Sequence, residues 1–151
     1  MLTDRTQYIA VHVRRGDFTG QCGSVPVDDC FAPLSAYARR VGDVSAALFV
    51  RRGIQLPVSH VIVTSDETNE TWWAEVAALG WRRIDHALEH TETRYGKWYV
   101  PMVDAVAQSL AVGFVGTDRS TMSMVARWRV EDWNNGIGEL VCYPTLMLGC
   151  S

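Results

Sequence analysis

The chain has 151 residues, 48% of them hydrophobic and 21% charged, with a net charge of −3. That is chain enough for one domain with a real core, of ordinary globular composition. It lacks the positive charge that marks a binder of nucleic acid or anionic membrane. No apolar run approaches the ~18 residues of a membrane span, and no N-terminal stretch has the order of a signal peptide.

The first element expected is a strand. Tyr8, Ile9, Ala10, Val11 and Val13 are strand formers, apolar at nearly every position, as suits a strand buried on both faces of a parallel sheet. The run breaks into His12, Arg14, Arg15 and Asp17, with Gly16 for the turn. Ligands of open α/β sheets collect at the carboxyl ends of strands. Adjacent arginines there suit phosphate or carboxylate, which a guanidinium fork meets bidentately. The alternative is a solvated loop with Arg15 and Asp17 as a local ion pair.

Residues 19–33 form a polar loop containing Cys22 and Cys30, where a disulfide is open to an oxidising compartment; two unrelated thiols are the alternative. Cys142 and Cys150 carry no argument for pairing. No Cys-x-x-Cys occurs, and no metal site is expected. Pro33 opens a helix over residues 34–52, with Leu34, Tyr37, Ala38, Val41, Val44, Ala47 and Leu48 on one face and Gly53 at its end.

A second strand is expected over 58–64, ending in Ser65-Asp66-Glu67, followed by a helix from Trp72 to Gly80. Asp66 and Glu67 either cap that helix or border a ligand site. Asn69-Glu70-Thr71 is an N-glycosylation triplet, relevant only to a secreted chain. Residues 81–85 are a third short strand, and His86, His90 and Glu92 fall in a polar loop. Tyr95, Trp98 and Tyr99 belong to a helix entry, with stacking on a base or sugar the alternative. A helix over 100–111 carries Met102, Val103, Val106, Ala107 and Leu110 as its apolar face, with Asp104 facing solvent.

The second strong signal follows a strand at 112–115. Gly116, Thr117, Ser120, Thr121 and Ser123 lie at the turn into a helix reaching Val130. Small hydroxyls, backbone N–H groups and a positive helix end meet there, a constellation that binds phosphate; an ordinary N-cap is the alternative. The expected fold is α/β, a Rossmann-like parallel sheet with flanking helices, in one domain over 1–151.

Three of these stretches together resemble a known family. His-Val-Arg-Arg-Gly-Asp-Phe after a hydrophobic strand, a strand ending in Thr-Ser-Asp-Glu, and Gly116-Thr117-x-x-Ser120-Thr121-x-Ser123 occur in this order. They are similar to the three signatures of the fucosyltransferase superfamily, which includes the protein O-fucosyltransferases and the α1,6- and α1,2-fucosyltransferases. The resemblance spans residues 8–123 and covers the C-terminal, donor-binding half of a GT-B architecture of two Rossmann-like domains. The first signature begins at residue 8, which leaves no room for the N-terminal domain and implies a fragment or half-enzyme.

By this resemblance Arg14 is the phosphate-binding, catalytic arginine and Arg15 its neighbour. His12 lines the nucleotide site, Asp17 orders the arginine loop and Asp66 belongs to the second signature. Thr117, Ser120 and Thr121 hold the diphosphate. Asp104, thirteen residues before Thr117, stands where the family reads guanine; a carboxylate accepts both guanine N–H donors at once. The implied reaction is inverting transfer of fucose from GDP-fucose to a protein or glycan hydroxyl, with no metal or other cofactor. The implied place is the lumen of the endoplasmic reticulum or Golgi. A GDP-binding remnant without activity, or a transferase using another nucleotide-deoxysugar such as a rhamnose donor, are the alternatives. A generic phosphate-binding Rossmann protein does not require the Asp104–Thr117 spacing.

Overall fold

The structure is a computed structural model and describes residues 7–142. Five parallel strands stand in the order β3-β2-β1-β4-β5: β1 (Ile9–Val13), β2 (Val61–Ser65), β3 (Arg82–Arg83), β4 (Gly113–Thr117) and β5 (Ile137–Val141). Between them run α1 (Val27–Cys30), α2 (Leu34–Arg52), α3 (Glu70–Ala78), α4 (Thr91–Tyr95), α5 (Tyr99–Leu110) and α6 (Thr121–Asn134). This is the expected α/β, Rossmann-like architecture.

Side chains alternate across a strand, and β1 shows how that builds two cores. Ile9, Val11 and Val13 join Tyr37, Val41, Val44 and Leu48 of α2 and Trp72 and Val76 of α3. Ala10, on the opposite face, packs with Phe114, Ala111, and Ala126 and Val130 of α6. All of β1 and β4 is buried, which is why their sequences are apolar on both faces. Chain order reverses between β1 and β4, so the ligand crevice of this architecture lies at their carboxyl ends.

Local signals set several boundaries. Gly53 (φ 65°) closes α2 in the left-handed conformation, and Ile54 N–H reaches back to the Leu48 carbonyl. Asn69, not Asp66 or Glu67, caps α3, its side chain accepting from Thr71 N–H. Val58 to His60 form a 3₁₀ turn after Pro57 rather than the start of β2. The third strand shrinks to Arg82–Arg83. β4 runs on through Gly116 and Thr117, because that backbone pairs with Leu140 and Val141 of β5. β5 escapes the sequence pattern: Gly138 and Glu139 interrupt its apolar run. Gly138 is there because a Cβ would meet Arg127 Cγ at 2.5 Å.

The loop expectation at Cys22 and Cys30 resolves as a disulfide. The bridge packs with Phe31, Phe18 and Val25 as a small separate cluster. Among the described residues no cysteine is free; Cys150 lies outside them.

The largest correction concerns α5. Its expected apolar face is turned outward: Met102, Val103, Val106 and Leu110 are exposed, whereas Asp104, Gln108 and Ser109 are buried. Asp104 and Gln108, one turn apart, share a face. Polar partners wait for that face beneath the helix. Gln108 Nε2 donates to Thr64 Oγ1 at 2.8 Å, and Asp104 meets His86. Hydrogen-bonded burial is tolerated where unpaired burial is costly, and among the buried side-chain atoms of the described residues Gln108 Oε1 alone is left without a partner. The solvent-facing position expected for Asp104 is therefore overturned.

Two substitutions separate the inner and outer faces. Leu48→Ala, in the core, is expected to cost about 2–5 kcal/mol. Val106→Ala, on the exposed face of α5, is expected to cost less than about 0.5 kcal/mol. Urea unfolding of the three proteins checks both.

Candidate functional site

The carboxyl edge of β1 and β4 is assembled around one hydroxyl. Thr117 Oγ1 donates to the His12 carbonyl (3.0 Å), accepts from Arg14 N–H (2.9 Å) and lies 2.7 Å from Tyr37 Oη. A hydroxyl has one proton and two acceptor positions. The proton goes to His12, so Tyr37 donates and the capacity of Thr117 is filled within the protein. The site thereby includes Tyr37, which sequence reasoning placed only in the core of α2.

A second hydroxyl completes this layer. Ser123, in the first turn of α6, accepts from Thr117 N–H (3.0 Å) and lies 2.8 Å from His12 Nδ1. Gly116 makes the approach possible: a Cβ there would fall 2.7 Å from Ser123 Cβ. His12 is 3% exposed. Burial, and secondarily the charge of Arg14, lowers its pKa to about 4, so the imidazole is neutral near pH 7. Ser120 caps α6 by accepting from Ser123 N–H (3.3 Å), and Thr121 opens the helix at the surface. The turn before the cap holds Arg119 at φ 63°, in the left-handed region that side-chain-bearing residues rarely adopt. Apart from Ser123 N–H, which the Ser120 hydroxyl accepts, the N–H groups that open the first turn have no acceptor within the helix and point out of its end.

The arginine loop is held by the carboxylates of Asp66 and Glu67, which follow β2. Asp66 Oδ1 accepts from Arg15 N–H (2.8 Å), and Oδ2 lies 3.1 Å from Arg14 Nη1. Gly16 leaves the room: a Cβ there would overlap Asp66 Oδ2. Arg14 Nη2 pairs with Asp17 Oδ1 at 2.6 Å, and the guanidinium lies over Phe18. The local ion pair of Asp17 is thus with Arg14, not Arg15. Arg15 turns away, between Phe31 and Trp72, with Nε 2.6 Å from Glu67 Oε2. Burial opposes ionisation of Glu67, but bonds from Asn69, Arg15 and Thr68 outweigh it and hold the carboxyl below its usual pKa. Asp66 and Glu67 border the arginine loop, and Glu67 also accepts the Thr68 and Asn69 N–H groups. Of the arginine pair, Arg14 is the one whose main chain is tied to Thr117.

Asp104 occupies a different part of the edge. Its Oδ1 lies 2.7 Å from His86 Nε2, and His86 Nδ1 lies 3.1 Å from Thr91 Oγ1. Burial raises the Asp104 pKa, and the hydrogen bond and charge of His86 draw part of it back. His86 was an ordinary loop residue in sequence, and no local spacing links it to a partner 18 residues on. A cavity of about 350 Å³ opens beside it, walled in part by His86, His90, Glu92 and Val100. Among the described residues no group of three or more His, Cys, Asp and Glu is arranged to hold a metal ion, and no helix is long and apolar enough to cross a membrane.

No protein-family model and no curated protein matches the chain. Solved structures do. POFUT1 in complex with GDP-fucose superposes with a TM-score of 0.53 at 14% identity, over 92% of this chain and 42% of that one. The apo form of POFUT1 gives 0.51 at 14% identity, over 89% and 41%. The GDP complex gives 0.50 at 13% identity, over 92% and 43%. The chain therefore has a fucosyltransferase-like fold and spans less than half the length of those chains.

His12 yields a pH prediction. Its folded pKa of about 4 lies below its ordinary 6.5, so the unfolded chain binds the extra proton between them. The contribution to stability is complete above about pH 6.5 and is lost as pH falls toward 4, a loss of ~3 kcal/mol. Urea midpoints measured across this window should fall with pH in the parent protein and fall less in His12→Asn.

Proposed function

We propose that the chain is the donor-binding domain of a metal-independent, inverting fucosyltransferase that takes fucose from GDP-fucose. The observation that carries it is Arg14: its main chain is tied to Thr117 at the β1/β4 switch point, and its guanidinium is steadied by Asp17 and Asp66. A diphosphate at that crevice meets fixed positive charge from Arg14 and the first-turn N–H groups of α6. Similarity to the fold of a GDP-fucose-bound protein supports the donor.

In the reaction, an acceptor hydroxyl of a protein or glycan forms a bond to the anomeric carbon and releases its proton to water. The bond from that carbon to the β-phosphate oxygen breaks, its electron pair leaves with GDP, and the configuration inverts. Arg14 stabilises the charge growing on the leaving phosphate, and is the catalytic residue of this half. His12, neutral and fixed on Ser123, adds no charge. Thr117 and Ser120 act by shaping the crevice, since their hydroxyls are engaged within the fold. Thr121 stands at the open helix end, and Asp104 reads the guanine. Arg15 and Glu67 hold the loop. The Cys22–Cys30 disulfide supports placement in the lumen of the secretory pathway.

A domain that binds GDP and transfers nothing is the second reading. It is favoured by one observation: Asp17, Asp66 and Glu67 are all engaged with arginines, an arrangement that serves the leaving group rather than proton removal from an acceptor.

Calorimetric titration with GDP and UDP in EDTA tests the donor site. GDP is expected to bind, to bind more tightly than UDP, and to lose about tenfold or more in affinity in Arg14→Ala. A folded chain that binds neither nucleotide would refute the proposal.

A further inference from the structure

Thr91, His86 and Asp104 form a line of hydroxyl, imidazole and carboxylate. That is the order of a nucleophile triad, with Thr91 buried and its hydroxyl committed to His86. The line acts in the other direction, on the carboxylate. Ionised Asp104 only accepts hydrogen bonds, so the proton of the 2.7 Å contact sits on His86 Nε2. Its Nδ1 lies 3.1 Å from the Thr91 hydroxyl, the second hydrogen-bond partner of the ring. Both ring nitrogens are fixed, and so is Asp104 Oδ1. Asp104 Oδ2 has no hydrogen-bond partner among the described residues.

We propose that His86 is a positioning residue for base recognition: it anchors Asp104 through one oxygen and keeps the carboxylate charged, so that the remaining acceptor positions of the carboxylate take the N1–H and 2-amino donors of guanine. This rests on the guanine-nucleotide reading of the site. Selectivity follows from charge. Guanine offers donors on its pairing edge, and an ionised carboxylate accepts them; a protonated carboxyl supplies a donor where an acceptor is needed. Adenine lacks the N1–H and the 2-amino group and presents a lone pair at N1, which a carboxylate repels, so it gains less from the charge.

The surroundings make His86 the group that matters. Other titratable groups on elements packed against α5 are otherwise occupied or outlying. His12 on β1 is held neutral on Ser123, and Tyr8 donates to the Ala107 carbonyl. Arg127 pairs with Glu131, and Arg129 donates to Ser109, on the α6 side. Glu92, Arg94 and Tyr95 of α4, and His90 and Glu89 before it, are exposed, and Asp85 pairs with Arg83. Burial favours the neutral carboxyl of Asp104, and His86 opposes it. Removing the imidazole leaves burial unopposed, so Asp104 takes up its proton at higher pH. Guanine binding, which needs the carboxylate, is then lost at higher pH as well.

The experiment is GDP and ADP titration from about pH 8 down to about pH 5 on the parent, His86→Ala and His86→Gln, beside a carboxyl ¹³C NMR titration of Asp104 in the ligand-free proteins. In His86→Ala the Asp104 midpoint is expected to move to higher pH. GDP affinity should fall about tenfold near the acid end, with discrimination against ADP reduced. His86→Gln, which keeps a neutral donor, should recover part of both. Identical Asp104 titrations in parent and His86→Ala would overturn the role of His86 whether or not GDP binds. Should His86→Ala not fold, His86→Leu takes its place, and an Asp104 titration there identical to the parent's would overturn it. Loss of GDP binding in the parent itself, with the Asp104 midpoint shifted, would refute the guanine reading and leave the His86–Asp104 coupling standing.

Discussion

The Thr117 hydroxyl joins the two central strands and the helix that crosses over them. Its three bonds reach the end of β1, the first residue of the arginine loop and Tyr37 of α2. Each partner is a group that burial would otherwise leave costly: a main-chain carbonyl, a main-chain N–H and a phenol. One small side chain thus makes the end of a fully buried parallel strand compatible with an abrupt turn into charge. Arg14 takes its position from this joint, and Asp66 and Asp17 then set where its side chain lies.

Around this joint the two faces of the sheet are chemically unlike. The face under α2 and α3 is aliphatic and aromatic from edge to edge. The face under α5 and α6 has a small apolar base and a polar upper layer of His12, Thr64, Gln108 and Ser123. The difference is what allows a helix with an apolar outer stripe to bury its polar one. It also gathers hydrogen-bonding groups on the α6 side of the crevice, while Arg15, packed between Phe31 and Trp72, belongs to the other side.

Much of this is legible in the chain. β1, β2 and α2 stand out because two-sided burial and amphipathic periodicity leave plain patterns, and the motifs around Arg14 and Thr117 mark both strand ends that form the crevice. β5 is hidden because glycine and glutamate occupy positions set by the clearance of α6 and the sheet edge. The orientation of α5 is hidden because periodicity shows that a helix has two faces but not which one finds partners. His86 and Tyr37 enter the site only through contacts across 18 and 80 positions of sequence, which no local pattern carries.

The clearance at Gly116 has a consequence for how such a sequence can drift. The strand backbone and the Ser123 side chain share a space with no room for another atom. Any side chain at 116 displaces α6, while loss of the hydroxyl at 123 strands Thr117 N–H and releases His12. Each position therefore fixes the other, and neither has a neutral first step away. Elsewhere the fold allows wide latitude, as overlap with solved chains at 13–14% identity illustrates.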